Sequence, residues 1–209
     1  MSLTDDQLRT LGQKMSFPIA AVIFKDETPK TLEYNKAYII NLEDELDEEG
    51  KRNTGSHWTC LQINKYPNGL KEGIYFDPYG QPPPQDVEKS AEKALGGKKI
   101  PYNSKDVQSL MNNACGWYCA AFLYFINSHY GRSKDLYSDV GHFLSYFDDL
   151  NKAVDFKKNE YILKNFFRAE KKELRIPIDV ETITTDDTAG GMDMQKLPAS
   201  INLMKKKVA

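Results

Sequence analysis

Cys115-Gly116 opens the run Trp117-Tyr118-Cys119-Ala120-Ala121-Phe122-Leu123, and a cysteine at the head of an apolar segment is a candidate nucleophile. The segment from Cys115 to Tyr130 is too long for a strand and apolar on most faces, so it predicts a buried helix with Cys115 at its N-terminal end. There the unpaired N–H groups and the positive end of the helix dipole favour a thiolate. Thiolate chemistry on a carbonyl needs three further groups: an imidazole, an acid that orients it, and donors for the developing oxyanion. His57, in Gly55-Ser56-His57-Trp58, supplies an imidazole, and Asp77, in Phe76-Asp77-Pro78, supplies a carboxylate. Gln108, one loop before the cysteine, carries a side-chain amide. The assignment is therefore Cys115 as nucleophile, His57 as general base and acid, Asp77 as orienter, and Gln108 with the Cys115 amide as oxyanion hole. Gly116 lets a substrate backbone approach, and Trp58 is expected to wall the substrate channel beside the imidazole.

The elements that must position these residues can be read in turn. Thr4 and Gln7 have capping-box spacing, and Leu8, Leu11 and Met15 follow, so residues 4 to 15 predict a first helix. Pro18 to Phe24 and Ala37 to Leu42 are compact, partly β-branched apolar runs, the pattern of buried strands. The carboxylate-rich stretch from Glu43 to Arg52 predicts a solvated loop that delivers the chain to His57. Trp58 to Ile63 and Gly73 to Asp77, on either side of Pro67-Asn68-Gly69, predict an antiparallel hairpin. His57 starts one of its strands and Asp77 ends the other, which sets imidazole and carboxylate at the same edge. After the extended Pro82-Pro83-Pro84, residues 85 to 95 predict a surface helix closed by Gly96-Gly97, and Lys157 to Leu174 predict an amphipathic one.

His57-Trp58, Phe76-Asp77-Pro78-Tyr79-Gly80, Gln108 and Ala114-Cys115-Gly116-Trp117-Tyr118-Cys119 together resemble the adenovirus maturation protease (adenain) family and, more distantly, the Ulp1-like proteases of ubiquitin-like modifiers. The order His, Asp, Gln, Cys and the Gln-to-Cys spacing match, and the likeness runs over roughly residues 1–175. The chain is also similar to proteases of virophage- and Maverick-type viruses. The resemblance implies an α+β fold, with a central mixed β-sheet packed against the Cys-bearing helix and a second helical group. It implies a thiol endopeptidase without cofactors or metal, acting on viral capsid and virion precursor proteins at Gly-Gly or Gly-X-Gly sites. The virion and the host-cell cytoplasm follow as its location, an activating peptide as a candidate partner, and a monomer as its state. Asp77 stands where adenovirus enzymes usually have glutamate and Ulp1-like enzymes have aspartate, so processing of a ubiquitin-like modifier is the alternative. Activation by DNA is not carried over, because the adenovirus enzyme is strongly basic and this chain is not.

The remaining features bound that reading. With 28 basic and 30 acidic residues, the formal charge of −2 gives no global field for nucleic acid or an anionic membrane. Three cysteines form no disulfide framework and leave a free thiol, which suits a reducing compartment. No apolar run has the length of a membrane span, and the acidic opening Met1 to Asp6 differs from a secretory signal. Cys60 and Cys119 read as core, and His129 and His142 as surface or helix-end residues. A zinc site from His57, Cys60, Cys115 and Cys119 lacks the usual ligand spacing. Asp77 before Pro78 could simply start a turn, Trp58 could be plain core, and a silent binding module could keep the fold. Residues 176–209 read as an extension with little to bury, disordered or loosely docked. Within it Gly190-Gly191 is a candidate self-cleavage site that would release the last 18 residues, and Lys205 to Lys207 could touch nucleic acid weakly.

Overall fold

The computed structural model describes residues 2–109, 112–128, 135–148 and 153–183, without the side chains of 153–156 and 171–173. Helix α1 (Asp5–Met15) begins as its sequence dictates. Thr4 accepts from the Gln7 amide at 3.3 Å, the Gln7 side chain accepts from the Thr4 amide at 2.9 Å, and Leu8, Leu11 and Met15 are buried. Strands β1 (Ile19–Phe24), β2 (Lys36–Asn41), β3 (Trp58–Lys65) and β4 (Lys71–Phe76) form one sheet in the order β1-β2-β3-β4. β1 runs parallel to β2, whereas β2, β3 and β4 are antiparallel neighbours, so the sheet is mixed.

Both faces of the sheet are covered, and the side-chain alternation of each strand divides the apolar residues between them. Ala37, Ile39, Trp58, Cys60, Ile74 and Phe76 point into the larger core, with α1, α3 (Cys115–Asn127), α4 (Leu136–Leu144) and α5 (Ala153–Leu174). Tyr38, Ile40, Leu61, Ile63 and Tyr75 point the other way, onto Val87, Ala91 and Ala94 of α2 (Gln85–Ala94). The molecule is thus α+β, with a four-stranded mixed sheet and five α-helices among the described residues. The second helical group lies on the same side as α3, with α5 packed on α3, while α2 covers the opposite face together with Leu32, Leu95 and Ile100 from the loops.

Two sequence expectations change. Helix α3 stops at Asn127, three residues short of Tyr130, and α4 is an element that the pattern did not announce. The segment after Leu174 is not devoid of burial. Ile176, Ile178, Val180 and Ile183 enter the main core, and Glu181 pairs with Lys164 at 2.8 Å and Arg168 at 2.5 Å. Alternating isoleucines and valine bury an apolar face even in a segment rich in Thr and Asp, which composition averaged over 176–209 conceals. Gly190, Gly191, Lys205 to Lys207 and His129 lie outside the described residues.

Candidate active site

The hairpin sets the first pair. Cys60 faces Phe76 across β3 and β4, which brings the residue before β3, His57, and the residue after β4, Asp77, to one edge. His57 Nε2 lies 2.7 Å from Asp77 Oδ1. Asp77 also starts a turn. Its Oδ1 accepts from the Tyr79 amide at 2.8 Å, and its carbonyl accepts from the Gly80 amide at 2.8 Å. Asp, Pro and Gly stand where such a turn prefers them. Gly80 has φ +67, and a Cβ there would lie 3.0 to 3.1 Å from backbone atoms of Ser104, Lys105 and Asp106, so the turn requires glycine. Turn former and histidine partner are one residue.

Residues outside the sequence assignment hold this corner. Asn103 accepts from the Asp77 amide at 2.8 Å and donates to the Asp77 carbonyl at 2.6 Å and the Lys105 carbonyl at 2.9 Å. The Tyr79 ring stacks on the imidazole, with centroids 4.2 Å apart and planes 15° from parallel. The Pro78 carbonyl accepts from the Val107 and Gln108 amides at 2.8 and 3.2 Å, which ties the Gln108 segment to the same turn. Asn103 has no pattern around it; the only cue was a lone Asn in a loop of polar residues.

Cys115 is the first residue of α3, as its sequence implies. Ala114 offers no side-chain cap, and among the described residues no acceptor faces the Cys115 amide, which leaves that N–H available. Burial pulls the His57 pKa down, but the hydrogen bond to Asp77, the polar side chain of Cys115 close to the ring and the charges of both outweigh it and raise it to about 9. Nδ1, the ring nitrogen not engaged by Asp77, is buried and has no hydrogen-bond partner among the described residues. The Gln108 side chain donates from Nε2 to the Asn112 carbonyl at 3.0 Å and to the Tyr79 hydroxyl at 3.4 Å. Burial, with the charges of Cys115 and Asp77, pushes the Tyr79 hydroxyl up to about 12, so it stays protonated. Cys115 exposes 2% of its surface and Gln108 1%, so both are almost wholly buried.

The two expected substrate contacts are placed differently. Trp58 is core: its indole is buried and its Nε1 donates to the Leu3 carbonyl at 2.8 Å. The space beside the Gly116 Cα is taken, because a Cβ there would meet Leu3 Cβ at 3.2 Å and Leu8 Cδ2 at 3.3 Å. Gly116 therefore permits close packing of α1 on α3, where a substrate backbone had been expected. Cys60 and Cys119 are fully buried, and Cys119 Sγ donates to the Trp58 carbonyl at 3.3 Å. Burial pushes the Cys119 thiol well above its usual range. His142 is exposed on α4 beside Tyr146. Among the described residues, no group of three His, Cys, Asp or Glu side chains is arranged to hold a metal ion, and no helix is long and apolar enough to cross a membrane. Compared with known proteins, the chain matches no protein-family model and no curated protein.

Proposed function

We propose that this chain is a cysteine endopeptidase that cleaves virion precursor proteins at Gly-containing sites during particle maturation. One observation carries the peptidase reading: the His57 imidazole lies between the Asp77 carboxylate, at 2.7 Å, and the Cys115 side chain at the N-terminus of α3. In that arrangement the imidazole can take the thiol proton, and Asp77 stabilises the imidazolium that forms. The Cys115 sulfur attacks the scissile carbonyl carbon, and the carbonyl electron pair moves to oxygen, where Gln108 Nε2 and the Cys115 amide are the donors. Collapse expels the amine, which takes the proton from His57. The neutral imidazole then removes a proton from water as it attacks the thioester, and the second collapse returns the thiolate and frees the acid.

The burial of the nucleophile supports the substrate class. A cysteine with 2% of its surface exposed is best reached by an extended chain whose residues next to the cut are slender, and glycine is the most slender. Asp77 in the acid position favours a second reading, processing of a ubiquitin-like modifier, since that is the residue of Ulp1-like enzymes. Mapping new protein termini in particles made with active enzyme and with Cys115→Ala tests the first reading. New termini after glycine that need Cys115 are expected; identical termini in both preparations would refute it. Cleavage of modifier precursors ending in Gly-Gly, without cleavage of capsid peptides, would select the second. Gly190-Gly191 is proposed as a self-processing site, and intact mass should show loss of residues 192–209 in the active protein but not in Cys115→Ala.

A further inference from the structure

Two consecutive polar residues are buried where α5 meets the rest of the molecule, and both hold the segment that carries Gln108. Asn159 Nδ2 donates to the Val107 carbonyl at 3.2 Å and to the Asp148 carbonyl at 3.0 Å, while its Oδ1 accepts from the Asp148 amide at 2.8 Å. Glu160 Oε1 accepts from Asn112 Nδ2. Asn112 is a junction. Its carbonyl accepts from Gln108 Nε2 at 3.0 Å, and its Oδ1 accepts from the Ala114 amide at 3.1 Å, one residue before the nucleophile.

The Asn112 carbonyl selects which end of the Gln108 amide points where. With Nε2 against that carbonyl, its second hydrogen reaches the Tyr79 hydroxyl at 3.4 Å, a long bond that an arriving oxyanion would replace. The reversed amide would set Oε1 against the carbonyl, oxygen on oxygen. We propose that Glu160, through Asn112, is a positioning residue that orients Gln108 and, by holding the residue before α3, the Cys115 amide as oxyanion donors. This rests on the peptidase reading above.

Burial raises the Glu160 carboxyl pKa, and a carboxylate at such a place is costly to bury for packing alone. An apolar residue would serve better if α5 merely filled space. The geometry gives the acid a different task. Its Oε1 anchors the Asn112 side chain, whose Oδ1 holds the Ala114 amide just before Cys115, and that anchored residue presents its main-chain carbonyl to Gln108 Nε2.

Two small reagents on the full chain separate this role from a structural one. Acetylation of Cys115 by p-nitrophenyl acetate forms the C–S bond, passes through a tetrahedral oxyanion, and breaks the C–O bond as p-nitrophenolate leaves with its electron pair. Alkylation by iodoacetamide displaces iodide and involves no oxyanion. In Glu160→Ala and Asn112→Ala, acetylation should slow about ten- to a hundredfold while alkylation stays within about twofold, because the thiolate and His57 are untouched. Glu160→Gln keeps an oxygen for Asn112 Nδ2 and should recover most of the rate. Equal slowing of both reactions, or acetylation unchanged in both alanine variants, overturns the proposal. If wild-type Cys115 is alkylated no faster than an unactivated thiol, the peptidase reading fails first and the positioning role falls with it.

Discussion

At the scale of single residues, the Asp77 carboxylate has two tasks that a substitution can separate. Its Oδ1 accepts from both His57 Nε2 and the Tyr79 amide, and asparagine can still accept both bonds without carrying charge. Asp77→Asn should therefore fold normally and lose catalysis by about 10²- to 10⁴-fold. The His57 pKa of about 9 should fall in that variant, so the alkaline limb of the peptidase rate, which needs the imidazolium proton for the leaving amine and lies near pH 9 in wild type, should move down. Residual peptidase rates across pH in both proteins check this; an unmoved limb contradicts the role given to Asp77. Tyr79 contributes a face and a hydroxyl. Tyr79→Phe should keep the stack on His57, whereas Tyr79→Ala should cost an additional two- to tenfold or about that in peptidase rate, the worth of one aromatic pair.

Among the elements, the turn Asp77 to Gly80 carries the most information. Gly80→Ala would force a Cβ against the backbone of residues 104–106 at positive φ, and should cost about 1–3 kcal/mol of stability. Because Pro78 holds the Gln108 amide, peptidase activity at a temperature where the variant is fully folded should fall as well. Chemical denaturation and initial rates measure the two effects separately. This corner was legible from sequence because its physics is local: a hairpin pairs residues by register, and Asp-Pro-x-Gly names its own turn. The capping box of α1 and the apolar run of α3 were local in the same way. What stayed hidden depends on distant partners. Asn103 closes on Asp77 from a separate loop, and Glu160 meets Asn112 only after α5 has folded back. The contacts of Trp58 and Gly116 with Leu3 were hidden because no pattern says that Leu3 folds over them. Asn159 was a missed cue: it falls four and eight positions before Leu163 and Phe167, a polar residue on a buried stripe.

For the molecule as a whole, stability is expected to depend on pH through His57. Its folded pKa of about 9 exceeds the ordinary value of 6.5, so its contribution is complete below pH 6.5 and disappears as pH rises through 9. That loss should be about 3 kcal/mol at most, and weaker in Asp77→Asn. Urea unfolding between pH 6.5 and 9.5 reads it, and equal slopes in both proteins would contradict it. The docked segment 176–183 is part of the same folding unit, so Ile183→Ala should destabilise the protein by about 2–4 kcal/mol in the same measurement. One feature of the core also offers a practical handle. Cys60 and Cys119 sit sealed between sheet and helix, Cys119 with its sulfur engaged by a main-chain oxygen. On the peptidase reading, the native protein should then consume a single equivalent of a chromogenic disulfide reagent quickly, and two more only after unfolding, so molecules with a reactive Cys115 can be counted before any substrate is known.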